Sequence, residues 1–141
     1  MLEEKVQAYL QKLIPARSPE IVELEELAEQ QQVPIMDGVG MEFLLQQLRL
    51  VRPKRILEIG TAIGYSAIRM ALVLPEAEIV TIERDEERYK QAVERIEKLN
   101  LNSRINILYG DALHIAGTLE SVPDFDALFI DAAKSQYQQF F

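Results

Sequence analysis

Along the first fifty positions apolar residues recur at helical spacing, with no strand-like alternation. Val6, Leu10, Leu13 and Ile14 fall on one face of a first helix that Pro15 closes. Ser18-Pro19 then starts a second helix of about fourteen residues, since serine can cap orphan amides and proline fits the first helical position. Val33-Pro34-Ile35-Met36 interrupts it, and Asp37 caps a third helix whose Met41, Leu44, Leu45 and Leu48 recur at i, i+3, i+4 and i+7. From Arg55 the pattern changes to four short, β-rich apolar runs: RILEIG (55 to 60), EIVTIE (78 to 83), INILYGD (105 to 111) and DALFIDA (126 to 132). Helical stretches separate them, over 65–74, over 85–99 with Tyr89, Val93 and Ile96 on one face, and over 112–120. Strand and helix in alternation predict a parallel α/β sheet with right-handed crossovers. Runs this apolar predict that both sheet faces are covered, with the N-terminal helices packed on or beside one of them.

Composition narrows the class. The chain has 141 residues and no cysteine, which excludes a disulfide scaffold, a thiolate metal site and a cysteine nucleophile, and fits a reducing, cytoplasmic setting. One core is expected, hence a single domain over 1–141: a helical cap over 1–52 and a sheet over 53–141. No stretch approaches the ~20 apolar residues of a membrane span, and the acidic N-terminus does not read as a signal peptide. The net charge of −8 argues against nonspecific nucleic-acid binding.

Chemistry enters through the polar residues of the apolar strands, which sit at the C-terminal ends. The first ends Glu58-Ile59-Gly60 and runs into Thr61-Ala62-Ile63-Gly64-Tyr65-Ser66; the others end at Glu83, at Gly110-Asp111 and at Ile130-Asp131. In an open α/β sheet the ligand crevice lies outside those ends, so four acids are expected to converge there. Gly60 and Gly64 are separated by three residues, which is not the spacing of a pyrophosphate-binding loop. Glu83, 23 residues after Gly60, can accept both hydroxyls of a ribose, and Asp111 can bond an adenine amino group. A nucleoside without a pyrophosphate fits best. Taken singly, the glycines would be an ordinary strand-to-helix turn, and Glu83, Asp111 and Asp131 helix caps; their joint placement at successive strand ends is what points to a site.

These segments resemble a known family. EIGTAIGYSAIRMA at 58 to 71, Glu83, GDAL at 110 to 113 and IDAAKSQY at 130 to 137 look like the cation-dependent O-methyltransferases that use S-adenosylmethionine (SAM), which include catechol and caffeoyl-CoA methyltransferases. The block VPIMDGVGMEFLL at 33 to 45 looks closest to the bacterial tRNA 5-hydroxyuridine methyltransferases. The resemblance implies a Rossmann-like methyltransferase fold with strand order 3-2-1-4. It implies that Met36, Ser66, Glu83, Asp111 and Ala112 contact SAM, with Glu58, Gly60 and Tyr65 shaping its pocket. Asp131 would face both cofactor and a Mg²⁺-like ion, Lys134 would be the general base, and Tyr137 could line the substrate side. A homodimer is expected.

Family members continue through further strands that supply an Asp and an Asn as additional metal ligands. The expectation is therefore that residues 1–141 are part of a longer enzyme, holding most cofactor contacts without full metal binding, with the fourth strand left as an edge. The leading substrate is 5-hydroxyuridine in tRNA; the alternatives are a small catechol-like phenol and a nucleoside-binding module without turnover. His114 stands alone, Arg49, Arg52, Lys54 and Arg55 form a basic group at the far end of the sheet, and Phe140 and Phe141 read as helix core.

Overall fold

The computed structural model describes residues 1–121 and 123–131. Three helices come first: α1 (Leu2–Lys12), α2 (Pro19–Gln30) and α3 (Gly38–Val51). There follow β1 (Arg55–Ile59), α4 (Tyr65–Val73), β2 (Glu78–Glu83), α5 (Glu86–Lys98), β3 (Ile105–Tyr109), α6 (Ala112–Ile115), a 3-10 turn (Ala116–Ser121) and β4 (Ala127–Ile130). The strands are parallel in the order β3-β2-β1-β4, as predicted. The crossovers through α4 and α5 step in the same direction, so their common hand puts both helices on one face. They touch closely: a Cβ built on Gly64, at the start of α4, would sit 3.4 Å from the Cβ of Ala92 on α5.

The core lies on that face. Fully buried Met41, Ile63, Ile68 and Met70 meet Ile56 and Ile79 of the two central strands, and α2 adds Ile21, Leu24 and Ala28. Helix α4 is buried nearly all round, because α2 and α3 cover the side that the sheet does not. Its C-terminal carbonyls are satisfied from another element: the Arg104 guanidinium, just before β3, donates to the carbonyls of Ala71, Leu74 and Ala77 at 2.9, 2.9 and 3.2 Å.

Four expectations need correction. Helix α1 buries no residue, and Val6, Leu10 and Leu13 of its apolar face are exposed; it leans on α3 mainly through Ile14, which follows it and sits over Gly38. An amphipathic pattern requires a partner for the stripe, and the six-residue link at 13–18 does not swing this helix onto the sheet. The hydroxyl of Ser18 makes no cap bond, although Ser18 holds the cap position and Pro19 the first helical one. The stretch 112–120 is one turn of α-helix continued as a 3-10 turn. Coverage of both sheet faces holds for β1 and β2, whereas Tyr109 of β3 and Leu128 of β4 are about half exposed. Among the described residues β4 pairs with β1 alone and forms the expected edge.

Candidate functional site

The segment after β1 is held in a conformation that chain preference alone would not select. Gly60, Ala62 and Gly64 all have positive φ, at 100°, 48° and 89°. Glycine adopts such angles freely, but alanine does so at a cost of roughly 1–2 kcal/mol. The offset is visible: the Ala62 N–H donates to Glu83 Oε2 at 2.7 Å, while the amides of Gly60 and Thr61 donate to the Ile82 carbonyl at 3.0 and 3.2 Å. The other oxygen of Glu83 accepts the Asp85 amide at 2.8 Å, at the start of α5. Glu83 is thus 6% exposed and bonded through both oxygens to backbone amides. The carboxylate is buried because the loop folds back over it.

Beneath that loop lies a second carboxylate. Glu58 is fully buried, accepts hydrogen bonds from the Ser66 hydroxyl and, at 2.5 Å, from Thr81, and Thr81 is in turn bonded to Thr61 at 2.5 Å. Burial pushes its pKa up to about 7 against the pull of the two hydroxyls, and the nearby charges of Asp131 and Glu83 add to the rise. The site therefore rests on two buried carboxylates, one gripping the loop amides and one gripping the hydroxyls behind it.

A cavity of about 520 Å³ opens above, outside the C-terminal ends of the strands. One wall is Pro34, Ile35 and Met36; the floor is Ile59, Gly60 and Ala62; the far side carries Ile82, Glu83, Gly110, Asp111 and Ala112, and Asp131 closes the edge. Asp111 Oδ1 accepts the Leu113 amide at 2.9 Å, so it caps α6 while bordering the cavity, and the cap and site readings of this residue both hold. Apolar walls with three carboxylates, and with Arg84 and Arg88 also in the lining, suit a ligand with an apolar ring and hydroxyl or amino donors.

Of the residues singled out in the sequence, Met36, Gly60, Glu83, Asp111, Ala112 and Asp131 come together around this cavity. Glu58, Tyr65 and Ser66 do not line it: Ser66 is bonded to Glu58 behind the loop, and the Tyr65 hydroxyl donates to Glu25 on α2. Three acids, not four, therefore face the cavity. Asp126 lies at the opposite end of the sheet, accepting the amides of Lys54 and Arg55 at 2.8 Å each. Lys134, Tyr137, Phe140 and Phe141 fall outside the described residues. Sequence reasoning missed Arg84 and Arg88 at the cavity rim, although their place directly after Glu83 and on the first turn of α5 is a usable signal. Among the described residues no cluster of three or more His, Cys, Asp or Glu is arranged for a metal ion, so Asp131 stands there as a single candidate ligand. No helix among them is long and apolar enough to cross a membrane.

Comparison with known proteins agrees with this geometry. A sequence model described as O-methyltransferase matches residues 13–141. A caffeoyl-CoA O-methyltransferase of Populus kitakamiensis is 34% identical over 112 residues, covering 77% of this chain and 46% of the relative. A catechol O-methyltransferase of Niastella koreensis is 38% identical over 103 residues, covering 71% and 47%. The chain thus spans about half the length of the curated relatives it matches. Among solved structures, an O-methyltransferase of Bacillus cereus in complex with SAH superposes with a TM-score of 0.86 at 29% identity, covering all of this chain and 67% of that one. TomG of Streptomyces achromogenes, an O-methyltransferase in complex with SAM, gives 0.84 at 28% identity over 97% and 64%. The chain belongs to the O-methyltransferase family.

Proposed function

We propose that this member of the O-methyltransferase family binds SAM in the strand-end cavity and transfers its methyl group to an acidic hydroxyl of a small catechol-like phenol. The observation that carries the reading is Glu83: a nearly buried carboxylate, oriented by two backbone amides, beside a cavity that Met36, Asp111 and Asp131 complete. Each Glu83 oxygen accepts one amide and keeps a lone pair for a ribose hydroxyl. Asp111 would take the adenine amino group, Met36 and Ala112 would cover the ring, and Asp131 would place negative charge on the side of the cationic methionine moiety. Bound SAM would supply an electrophilic methyl carbon. What the protein contributes is placement, since reactants held in line can gain effective molarities of ~10⁵–10⁸ M.

The general base assigned by resemblance is Lys134, and Tyr137 would face the substrate. Asp131 would supply one oxygen ligand to a divalent cation, which usually takes about six or more. The described residues do not complete such a site, so no step is routed through the metal. The names of the relatives move the phenol ahead of the tRNA 5-hydroxyuridine favoured by residues 33 to 45, which stays as the second reading on that block alone. A cytoplasmic homodimer remains part of the proposal, and sedimentation measures its subunit count.

Incubation with methyl-labelled SAM, with and without Mg²⁺, against a catechol panel and hypomodified tRNA tests the reading. Label in the phenols supports it. Label entering tRNA alone moves the substrate to RNA, and SAM binding without any transfer reduces the protein to a nucleoside-binding module.

A further inference from the structure

A partly buried charged cluster lies on the other side of α4 from the sheet, outside the cavity. At its centre is Arg69, 8% exposed in the middle of an otherwise apolar helix. Its Nη2 donates to Glu42 Oε1 of α3 at 2.8 Å and its Nη1 to the Tyr65 hydroxyl at 2.9 Å, with Glu25 Oε1 of α2 3.7 Å away. The Tyr65 hydroxyl in turn donates to Glu25 Oε1 at 2.8 Å, and the Arg17 Nε reaches the same carboxylate at 2.8 Å. Two cations, two anions and one phenol close on each other. Burial, then the bond to Glu25, pushes the Tyr65 pKa up to about 12, so the phenol stays a donor.

The cluster joins the elements that carry opposite walls of the cavity. Tyr65 directly follows Gly64, the end of the loop that forms the floor. Glu42 lies in the second turn of α3, and Glu25 lies on α2; the wall Pro34–Met36 is the link between those two helices. Apart from Tyr65 and Arg69 the buried residues of α2, α3 and α4 are apolar, and apolar contact is non-directional, so it opposes sliding of one helix along another less than a directed bond does. A guanidinium bonded directly to Glu42 of α3, and linked to Glu25 of α2 through Tyr65 on its own helix, fixes both distance and direction. Burial raises the cost of leaving this arrangement, since Glu42 without Arg69 is a mostly buried, unpaired charge.

We propose that Arg69 is a positioning residue for the cofactor cavity, setting the wall Pro34–Met36 against the loop 60–64. The proposal rests on the reading of the cavity as a SAM site. Its test is calorimetric binding of SAH to the unmodified protein and to Arg69→Met, Arg69→Lys and Glu42→Gln, well below each variant's unfolding temperature, with urea stability measured alongside. Arg69→Met should weaken SAH about tenfold or more, equivalent to about 1.4 kcal/mol per factor of ten. Arg69→Lys should recover only part of this, because one ammonium cannot hold Tyr65 and Glu42 in the fork geometry, and Glu42→Gln should weaken binding about threefold, a smaller step on the same scale. A purely structural role would lower the urea midpoint and leave the affinity of the folded variants unchanged; that result overturns the proposal alone. If Arg69→Met does not fold, unchanged affinity in both Arg69→Lys and Glu42→Gln overturns it equally. Failure of the unmodified protein to bind SAH overturns the cofactor reading and takes this proposal with it.

Discussion

Replacing Glu58 by glutamine removes a carboxyl that the fold holds largely neutral. Its pKa is about 7 in the folded protein against about 4.5 in the open chain, with burial the leading cause. Between those values the folded state binds more protons than the unfolded state, so the contribution of Glu58 to stability is full below pH 4.5 and is lost as pH rises through 7. At 1.36 kcal/mol per pH unit the loss amounts to about 3 kcal/mol across that window. Glutamine fills the same volume and keeps one acceptor for Thr81 or Ser66, and either hydroxyl can rotate to accept from its amide. Urea unfolding of both proteins from pH 4 to 8 gives the stability difference, in which the titrating groups that do not interact with Glu58 are common to both and cancel. The wild type should gain on the variant toward acid by about 3 kcal/mol. Parallel curves would show that Glu58 titrates normally and that water reaches it.

Two further outcomes follow from the strand ends. Glu83→Ala should cost about 2–3 kcal/mol of stability, because Ala62 and Asp85 lose a charged acceptor, and it should also weaken SAM about ten- to a hundredfold, or 1.4 kcal/mol per factor of ten; a folded variant with unchanged affinity and midpoint refutes both roles. Asp131→Asn should weaken SAM while Asp126→Asn leaves affinity alone and lowers stability above pH 4. The Lys54 and Arg55 amides hold the Asp126 carboxyl below its ordinary 3.8, so its contribution is present above that value and is lost as pH falls through the folded pKa. Calorimetry and urea midpoints on the pair decide it, and an affinity loss confined to Asp126→Asn would reverse the assigned strand direction.

Which features were legible in the chain follows from how local their causes are. Asp37 and Asp85 cap α3 and α5 through bonds to amides three residues on, Gly40 and Arg88, and such spacing is written in the sequence. The strands were legible for a related reason: a buried parallel strand must be a short apolar run, so its boundaries show as the first polar residues. What was illegible depends on approach in space. Nothing near Glu83 in sequence says that Ala62 returns to it, and only that return buries the carboxylate. Arg69 reads as one charge in the apolar run 65–73, which a sequence treats as solvated; its partners lie 27 and 44 residues away in Glu42 and Glu25. The stripe on α1 failed for the opposite reason, since its periodicity is clear but nothing in it names the surface it meets.

Strand register explains why these residues make a site at all. Ile59 lies level with Ile82 on one side and Ile130 on the other, so Gly60, Glu83 and Asp131 each stand one position beyond a matched row of isoleucines. Glu83 is level with Tyr109, which puts Gly110 and Asp111 immediately past the same line. A slip of one residue in β2 would take Thr81 and Glu83 off the face they share with Ile79 and turn Val80 and Ile82 onto it, breaking the bonds to Glu58 and to the loop. The rows of β1 and β2 that hold the register are buried, and both glutamates belong to those two strands; Asp111 and Asp131 follow the half-exposed strands β3 and β4. Glu83 and the loop over Glu58 are thereby locked by buried hydrogen bonds on the side of β1 and β2.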